Sequence, residues 1–192
     1  QLLIRVHACS ISPGDVLMVE GRMIFLSPPN GFPFVPGMDV TGEVVDPNGC
    51  EDFLVGDIVV AANGTLPIGG MAEYMAINKN EAVKKPNIVP STIASASSSA
   101  ITAHNAVMNY VKKGDRVLIL GGSGGVGSAA IQLCNRAEAS FVATTSTQED
   151  FCKSLGAHDV VDFRKVLWWD PDRWNGEMFD IVVDTVGGGN FI

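Results

Sequence analysis

The chain has 192 residues, of which 46% are hydrophobic, enough to bury one sizeable core or two modest ones. Its formal net charge is −8 and no basic run occurs, so neither nucleic acid nor an anionic membrane surface is an expected partner. No apolar run reaches the roughly 20 residues of a membrane-spanning helix, and we predict no transmembrane segment.

The four cysteines are scattered, with no CxxC pair and no His at metal-binding spacing. We therefore expect reduced thiols in an intracellular compartment, either the cytoplasm or an organelle matrix such as that of a mitochondrion or chloroplast. The chain opens on a strand-like segment and stops just after another, so we expect a fragment of a longer protein whose targeting segment, if any, lies upstream.

The first part of the chain is predicted to consist of strands and turns. Short runs rich in Val and Ile occur at residues 2–11, 39–45 and 56–62, and a further strand is predicted at 69–77. Clusters of Gly and Pro separate the first three runs. Closely spaced strands with this punctuation favour a small barrel or sandwich.

Strands and helices alternate in the second part. A helix is predicted from a possible cap at Ser91 through residue 111, and then strands at 115–120, 140–145, 159–163 and 179–186. Helices at 125–137 and 148–156 separate the first three of these strands. This alternation indicates βαβ units and a doubly wound parallel sheet, so we predict two domains, 1–96 and 97–192.

A glycine-rich turn stands between the strand at 115–120 and the helix that follows it. The sequence GGSGGVG, residues 121–127, fits the pattern GxGxxG and lacks the GK[ST] of a triphosphate-binding loop. Such a turn brings backbone amides and a helix amino terminus to a dinucleotide pyrophosphate, although it can also be a tight turn without a ligand. The predicted cofactor-binding residues here are Gly122, Ser123, Gly124, Gly125, Val126 and Gly127.

The residues after the second strand of this sheet distinguish the two nicotinamide cofactors. An acid there would bind the ribose 2′-hydroxyl of NADH, but the chain has Thr144, Thr145 and Ser146. Their hydroxyls can donate to a 2′-phosphate, so NADPH is preferred. NADH remains the alternative because no Lys or Arg stands in this loop before Lys153, and all three residues could simply cap the next helix.

The order and spacing of six segments resemble the medium-chain dehydrogenase/reductase superfamily, in its zinc-free quinone oxidoreductase branch. The segments are 6–21, 32–45, 55–60, 69–77, 112–133 and 153–163. The resemblance implies a GroES-like, partly open β-barrel domain followed by a Rossmann domain, with cofactor and substrate in the cleft between them. It also implies an incomplete Rossmann sheet, because such enzymes have six strands and this chain supplies about four.

The resemblance argues against zinc. The alcohol-dehydrogenase branch places Cys where this chain has Ser12 and His where it has Met38, and neither replacement is a usual zinc ligand. We therefore expect no catalytic zinc. Without a Lewis acid, the expected reaction is hydride transfer to a quinone or an α,β-unsaturated carbonyl, and the expected substrate is small and hydrophobic.

By resemblance, Ser12 and Thr102 are the candidate catalytic residues, and Thr185 and Val186 lie near the nicotinamide ribose. Ser12 could equally be a turn residue and Thr102 a helix-packing residue. The family's usual 2′-phosphate positions hold Gln148 and Phe163 here, which weakens the preference for NADPH.

Two functions follow from this sequence. The first is an NADPH-dependent quinone or enone reductase, expected to form a homodimer. The alternative is a catalytically quiet dinucleotide-binding subunit of a larger assembly. The three tryptophans within residues 168–174 indicate either a partner surface or, as we prefer, packing over the sheet edge between the third and fourth strands.

Overall fold

The structure is a computed structural model that describes residues 1–22, 32–62, 69–94 and 96–187. The chain divides into two compact units, Gln1–Ser98 and Ser99–Ile192. The domain boundary predicted after residue 96 lies two residues before this division and stays a prediction. No helix within the described ranges is long and apolar enough to cross a membrane.

The first unit is built on a five-stranded antiparallel sheet with the order β4-β1-β2-β3-β5. Its strands are β1 (Leu2–Cys9), β2 (Asp39–Asp46), β3 (Ile58–Ala62), β4 (Tyr74–Ile77) and β5 (Ala82–Lys84). Every second side chain of β1 to β4 is buried along part of the strand, which gives one shared apolar face. That face includes Leu2, Ile4, Val59, Met75 and Ile77.

In its described residues, this unit has two α-helices of its own, α1 (Pro13–Val19) and α2 (Ser91–Ala94). The prediction of strands and turns alone was wrong at α1. Ser12 is its N-cap residue, Pro13 opens the first turn, and Asp15 completes a capping box with Ser12. Local side-chain bonding therefore nucleates a seven-residue helix that lacks a strong apolar repeat. The three-residue strand β5 was also absent from the prediction.

The second unit contains a four-stranded parallel sheet with the order β8-β7-β6-β9, which confirms the predicted doubly wound sheet. Its strands are β6 (Arg116–Leu120), β7 (Phe141–Thr145), β8 (Asp159–Val161) and β9 (Ile181–Asp184). The helices are α3 (Ser97–Met108), α4 (Gly125–Arg136) and α5 (Glu149–Ser154). The single helix predicted from Ser91 is thus two helices, α2 and α3. The strand order reverses between β6 and β9, which makes this the topological switch point.

Different elements pack against the two faces of the parallel sheet. One face packs with α3, α4 and α5 through fully buried residues such as Val117, Ile119 and Ile131. On the other face, Trp174 packs with Leu118 and with residues of β7 and β8. The tryptophan segment therefore covers the sheet face rather than the sheet edge that we predicted.

Candidate dinucleotide site

The glycine turn places an uncapped helix terminus at the carboxyl end of β6. Gly124 is the N-cap residue of α4, and no side chain there makes a capping hydrogen bond. The amides of Gly125, Val126 and Gly127 lie in the first turn and have no acceptor within the helix. They add to the positive end of the helix dipole, so this terminus is suited to an anion.

The crowding around the turn explains its glycines. Gly121 has φ +85, a left-handed conformation, and a Cβ there would lie 2.8 Å from Thr185 Oγ1. A Cβ on Gly122 would collide with the Thr144 side chain, and one on Gly127 would collide with the Gly121 carbonyl oxygen. The tight turn is thus made at Gly121, whereas Gly122 and Gly127 allow the loop to pack against β7 and α4.

Gly124 and Gly125 have different surroundings. Among the described residues, and apart from its chain neighbours, a Cβ on Gly124 would meet only the Gly121 carbonyl oxygen, at 3.3 Å. A Cβ on Gly125 would lie 2.8 Å from Ser99 Oγ. Ser99 thus places a hydroxyl beside the first turn of α4. Sequence reasoning missed this residue, because nothing in the sequence relates the start of α3 to the start of α4.

The three hydroxyl residues at the end of β7 are all buried, but they differ in role. Thr144 is 0% exposed and its Oγ1 donates to the Ile119 carbonyl, 2.7 Å away. Its hydroxyl cannot reach a phosphate at the loop, so we withdraw Thr144 as a phosphate donor. Thr145 Oγ1 accepts a hydrogen bond from the Gly121 amide, and Ser146 Oγ accepts one from the Gln148 amide. Thr145 and Ser146 therefore shape the two loops that border the site.

The end of β9 reaches the same edge of the sheet. Thr185 Oγ1 donates to the Leu120 carbonyl at 2.7 Å, which ties the turn after β9 to the last residue of β6. Val186 follows it and is 64% exposed. The predicted residues Thr145, Ser146, Thr185 and Val186 thus gather with the glycine turn at the carboxyl edge of the sheet, where ligands of open α/β sheets bind.

The two predicted catalytic residues lie in different units. Ser12 Oγ donates to Asp15 Oδ2 at 2.6 Å, and the other carboxylate oxygen of Asp15 accepts from the Gly37 amide at 3.1 Å. Ser12 thus has a local role as the N-cap residue of α1, where the alternative to catalysis that we predicted was a turn residue. Thr102 is exposed on α3 in the second unit, so buried helix packing does not account for it.

The groups near Ser12 do not fit a zinc site. Ser12 and Met38 offer a hydroxyl and a thioether, and the Asp15 carboxylate is bonded within its own capping box. The Asp39 carboxylate accepts from the backbone amide and the hydroxyl of Ser98, and its burial raises its pKa. Among the residues that the structure describes, no group of three or more His, Cys, Asp or Glu is arranged to hold a metal. We derive no reaction step through zinc.

Two protein-family models match the chain. The family described as "Alcohol dehydrogenase GroES-like domain" matches residues 1–87, and the one described as "Zinc-binding dehydrogenase" matches residues 125–192. The chain is 33% identical to the chloroplastic quinone-oxidoreductase homolog of Spinacia oleracea, over 98% of this chain and 60% of that protein. It is also 33% identical to the chloroplastic NADPH-dependent alkenal/one oxidoreductase of Arabidopsis thaliana, over 97% of this chain and 50% of that protein.

Solved structures show the same architecture. The quinone oxidoreductase of Coxiella burnetii superposes with a TM-score of 0.81 at 30% identity, over 98% of this chain and 61% of that one. The quinone oxidoreductase of Thermus thermophilus, also solved with NADPH, gives 0.76 at 27% identity, over 97% and 58%. The chain thus spans 50% to 61% of the length of these four proteins. From its two domain types, its glycine turn and these relatives, the chain belongs to the medium-chain dehydrogenase/reductase superfamily, in its quinone oxidoreductase-like branch.

Proposed function

We propose that this protein is an NADPH-dependent oxidoreductase that reduces a quinone or an α,β-unsaturated carbonyl without zinc. The observation that carries the proposal is the uncapped amino terminus of α4 at the switch point between β6 and β9. Relatives of the protein support these classes of cofactor and acceptor, since one is named an NADPH-dependent alkenal/one oxidoreductase and another a quinone-oxidoreductase homolog.

The residues of the turn fit a dinucleotide. The amides of the first turn of α4 would bind the pyrophosphate, and the absence of a side chain at Gly124 would let it approach them. Thr185 and Val186, held against the end of β6, would border the nicotinamide ribose. A tight turn without a ligand would not need an unprotected helix terminus at the one edge where α/β sheets bind ligands.

When bound, the reduced nicotinamide would supply a hydride to an electron-poor acceptor. The chain's part is then to position the acceptor, exclude water and stabilise charge that develops on the acceptor oxygen. We propose that the Ser12 hydroxyl turns from Asp15 to that oxygen. The Ser12 amide would keep its own bond to Asp15 Oδ2, 2.7 Å long, so this half of the capping box at the start of α1 would remain. Thr102, exposed on α3, is proposed to lie near the nicotinamide.

Assembly and location complete the proposal. We propose a homodimer, or a subunit of a larger assembly, in an intracellular compartment. Relatives named as chloroplastic or mitochondrial support an organelle.

The test is an assay of the full-length protein with NADPH and a panel of quinones and enones, followed by the loss of nicotinamide absorbance. We expect turnover with at least one acceptor, and retained turnover after treatment with a zinc chelator. Tight NADPH binding without turnover on any acceptor would favour a dinucleotide-binding regulatory subunit instead. Failure to bind either nicotinamide cofactor would contradict the proposal entirely.

A further inference from the structure

Two cations follow β8 at the edge of the sheet that carries the glycine turn. β7 and β8 are parallel neighbours with Thr145 opposite Val161, and the Ser146 amide donates to the Val161 carbonyl at 3.0 Å. Ser146 and the residue after Val161 therefore leave the sheet side by side. Arg164 and Lys165 stand in the turn that begins there.

Asp162 holds the Arg164 side chain in place. Arg164 Nε lies 2.9 Å from Asp162 Oδ1, and its Nη2 lies 2.8 Å from Oδ2, a bidentate pair. Arg164 holds the pKa of Asp162 well below its usual range, so the carboxylate stays ionised. A guanidinium has five N–H donors, and this pair occupies two, so three remain for another anion.

Both cations are open to a ligand. The Arg164 side chain is 60% exposed and the Lys165 side chain is 75% exposed, with Lys165 Nζ 3.5 Å from Asp162 Oδ2. The nearby acid Glu149 is paired with Lys153 at 2.6 Å, which reduces its repulsion of an incoming anion. Asp150 adds one further negative charge on the same helix.

We propose that Arg164, assisted by Lys165 and by the Ser146 hydroxyl, binds the 2′-phosphate of NADPH and sets the preference over NADH. The inference rests on the proposed function, because it assigns one part of that cofactor to these residues. The usual cation and aromatic hydroxyl of the family are replaced by Gln148 and Phe163, so the charge that binds the phosphate comes from the next two residues. Asp162 acts as a positioning residue that orients the guanidinium.

The test compares NADPH and NADH binding to the full-length protein by calorimetry, with 2′-AMP and 5′-AMP as smaller probes. We expect Arg164→Ala with Lys165→Ala to weaken NADPH about ten- to hundredfold, the range of charge-assisted hydrogen bonds. NADH and 5′-AMP should change by no more than about twofold, since they lack the phosphate. Arg164→Lys keeps the charge but loses the planar fork, so it should lose part of the preference.

A matched control is Lys113→Ala. Lys113 is also exposed and ion-paired, with Glu138, but it lies before β6 at the opposite edge of the sheet. Unchanged thermal melting would show that the variants are folded. A double variant that binds NADPH as tightly as the wild type overturns the inference and leaves the proposed function intact. Wild-type protein that binds neither dinucleotide overturns both.

Discussion

The Gly124→Ala substitution should separate cofactor binding from folding. Gly124 has φ −73 and ψ 168, which alanine adopts without strain. Within the described part of the chain, the new Cβ would have one close non-neighbouring atom, the Gly121 carbonyl oxygen at 3.3 Å. Alanine is a poorer N-cap residue than glycine, so we expect a loss of roughly 0.5–1 kcal/mol in the free energy of unfolding. The methyl group would enter the space that we assign to the pyrophosphate. An overpacked contact of about 1–3 kcal/mol corresponds to NADPH binding roughly 5- to 150-fold weaker.

Gly127→Ala is the matched comparison, because its main effect should be on stability. Its Cβ would collide with the Gly121 carbonyl oxygen and lie 2.8 Å from Gly122 Cα, and both neighbours are backbone atoms. We expect overpacking of about 2–3 kcal/mol, the upper part of the usual range because backbone cannot move aside easily, offset by about 1 kcal/mol from the better helix propensity of alanine. The net effect is a loss of roughly 1–2 kcal/mol in stability.

Urea unfolding and NADPH titration of both variants form the assay. A folded Gly124→Ala protein that binds NADPH with wild-type affinity would refute the placement of the pyrophosphate. A Gly127→Ala protein as stable as the wild type would refute the packing role assigned to that glycine.

Three further substitutions test other parts of the site. Ser12→Ala removes the N-cap of α1, so urea unfolding should show a loss of about 1 kcal/mol, and turnover should fall while NADPH affinity holds; unchanged turnover would remove Ser12 from the reaction. Thr144→Val removes the buried bond to the Ile119 carbonyl, which should cost about 1 kcal/mol of stability without altering NADPH affinity; a selective loss of NADPH affinity would restore Thr144 as a phosphate donor. Burial raises the pKa of Asp39 above its ordinary 3.8, so the native state binds this proton more tightly than the unfolded state does. The contribution of Asp39 to stability therefore falls as pH rises from the unfolded-state pKa to the native-state pKa. The stability of wild type minus that of Asp39→Asn should therefore decline from about pH 3.8 upward in urea unfolding curves; a difference that grows with pH would contradict this sign.

Structural features that depend on residues close together in the sequence were predicted well. The runs of branched residues and the glycine turn located β6 and α4, and the alternation of strands and helices predicted the parallel sheet. Helix α1 was not predicted, because the sequence pattern that indicates it is a capping box of four residues within a segment rich in turn-forming residues. The break between α2 and α3 was not predicted, because Ser and Ala residues continue through it and no Pro or Gly marks it.

Features that depend on which strands are neighbours could not be predicted. The sequence places Thr144, Thr145 and Ser146 one after another, but it does not indicate that the Thr144 hydroxyl donates to a carbonyl of β6. Trp174 lies on the sheet face because the connection from β8 to β9 crosses it, and the tryptophan spacing does not carry that information. The turn that contains Arg164 begins beside the end of β7 only because β7 and β8 pair.

The most direct test of the central claim is amide NMR of the isotope-labelled full-length protein during titration with NADPH. The account predicts that the largest shift changes fall on the amides of Gly125, Val126 and Gly127, at the free end of α4. Smaller changes should follow at Thr185 and Val186. NADPH binding that leaves the three α4 amides unmoved would contradict the assignment of this turn to the pyrophosphate.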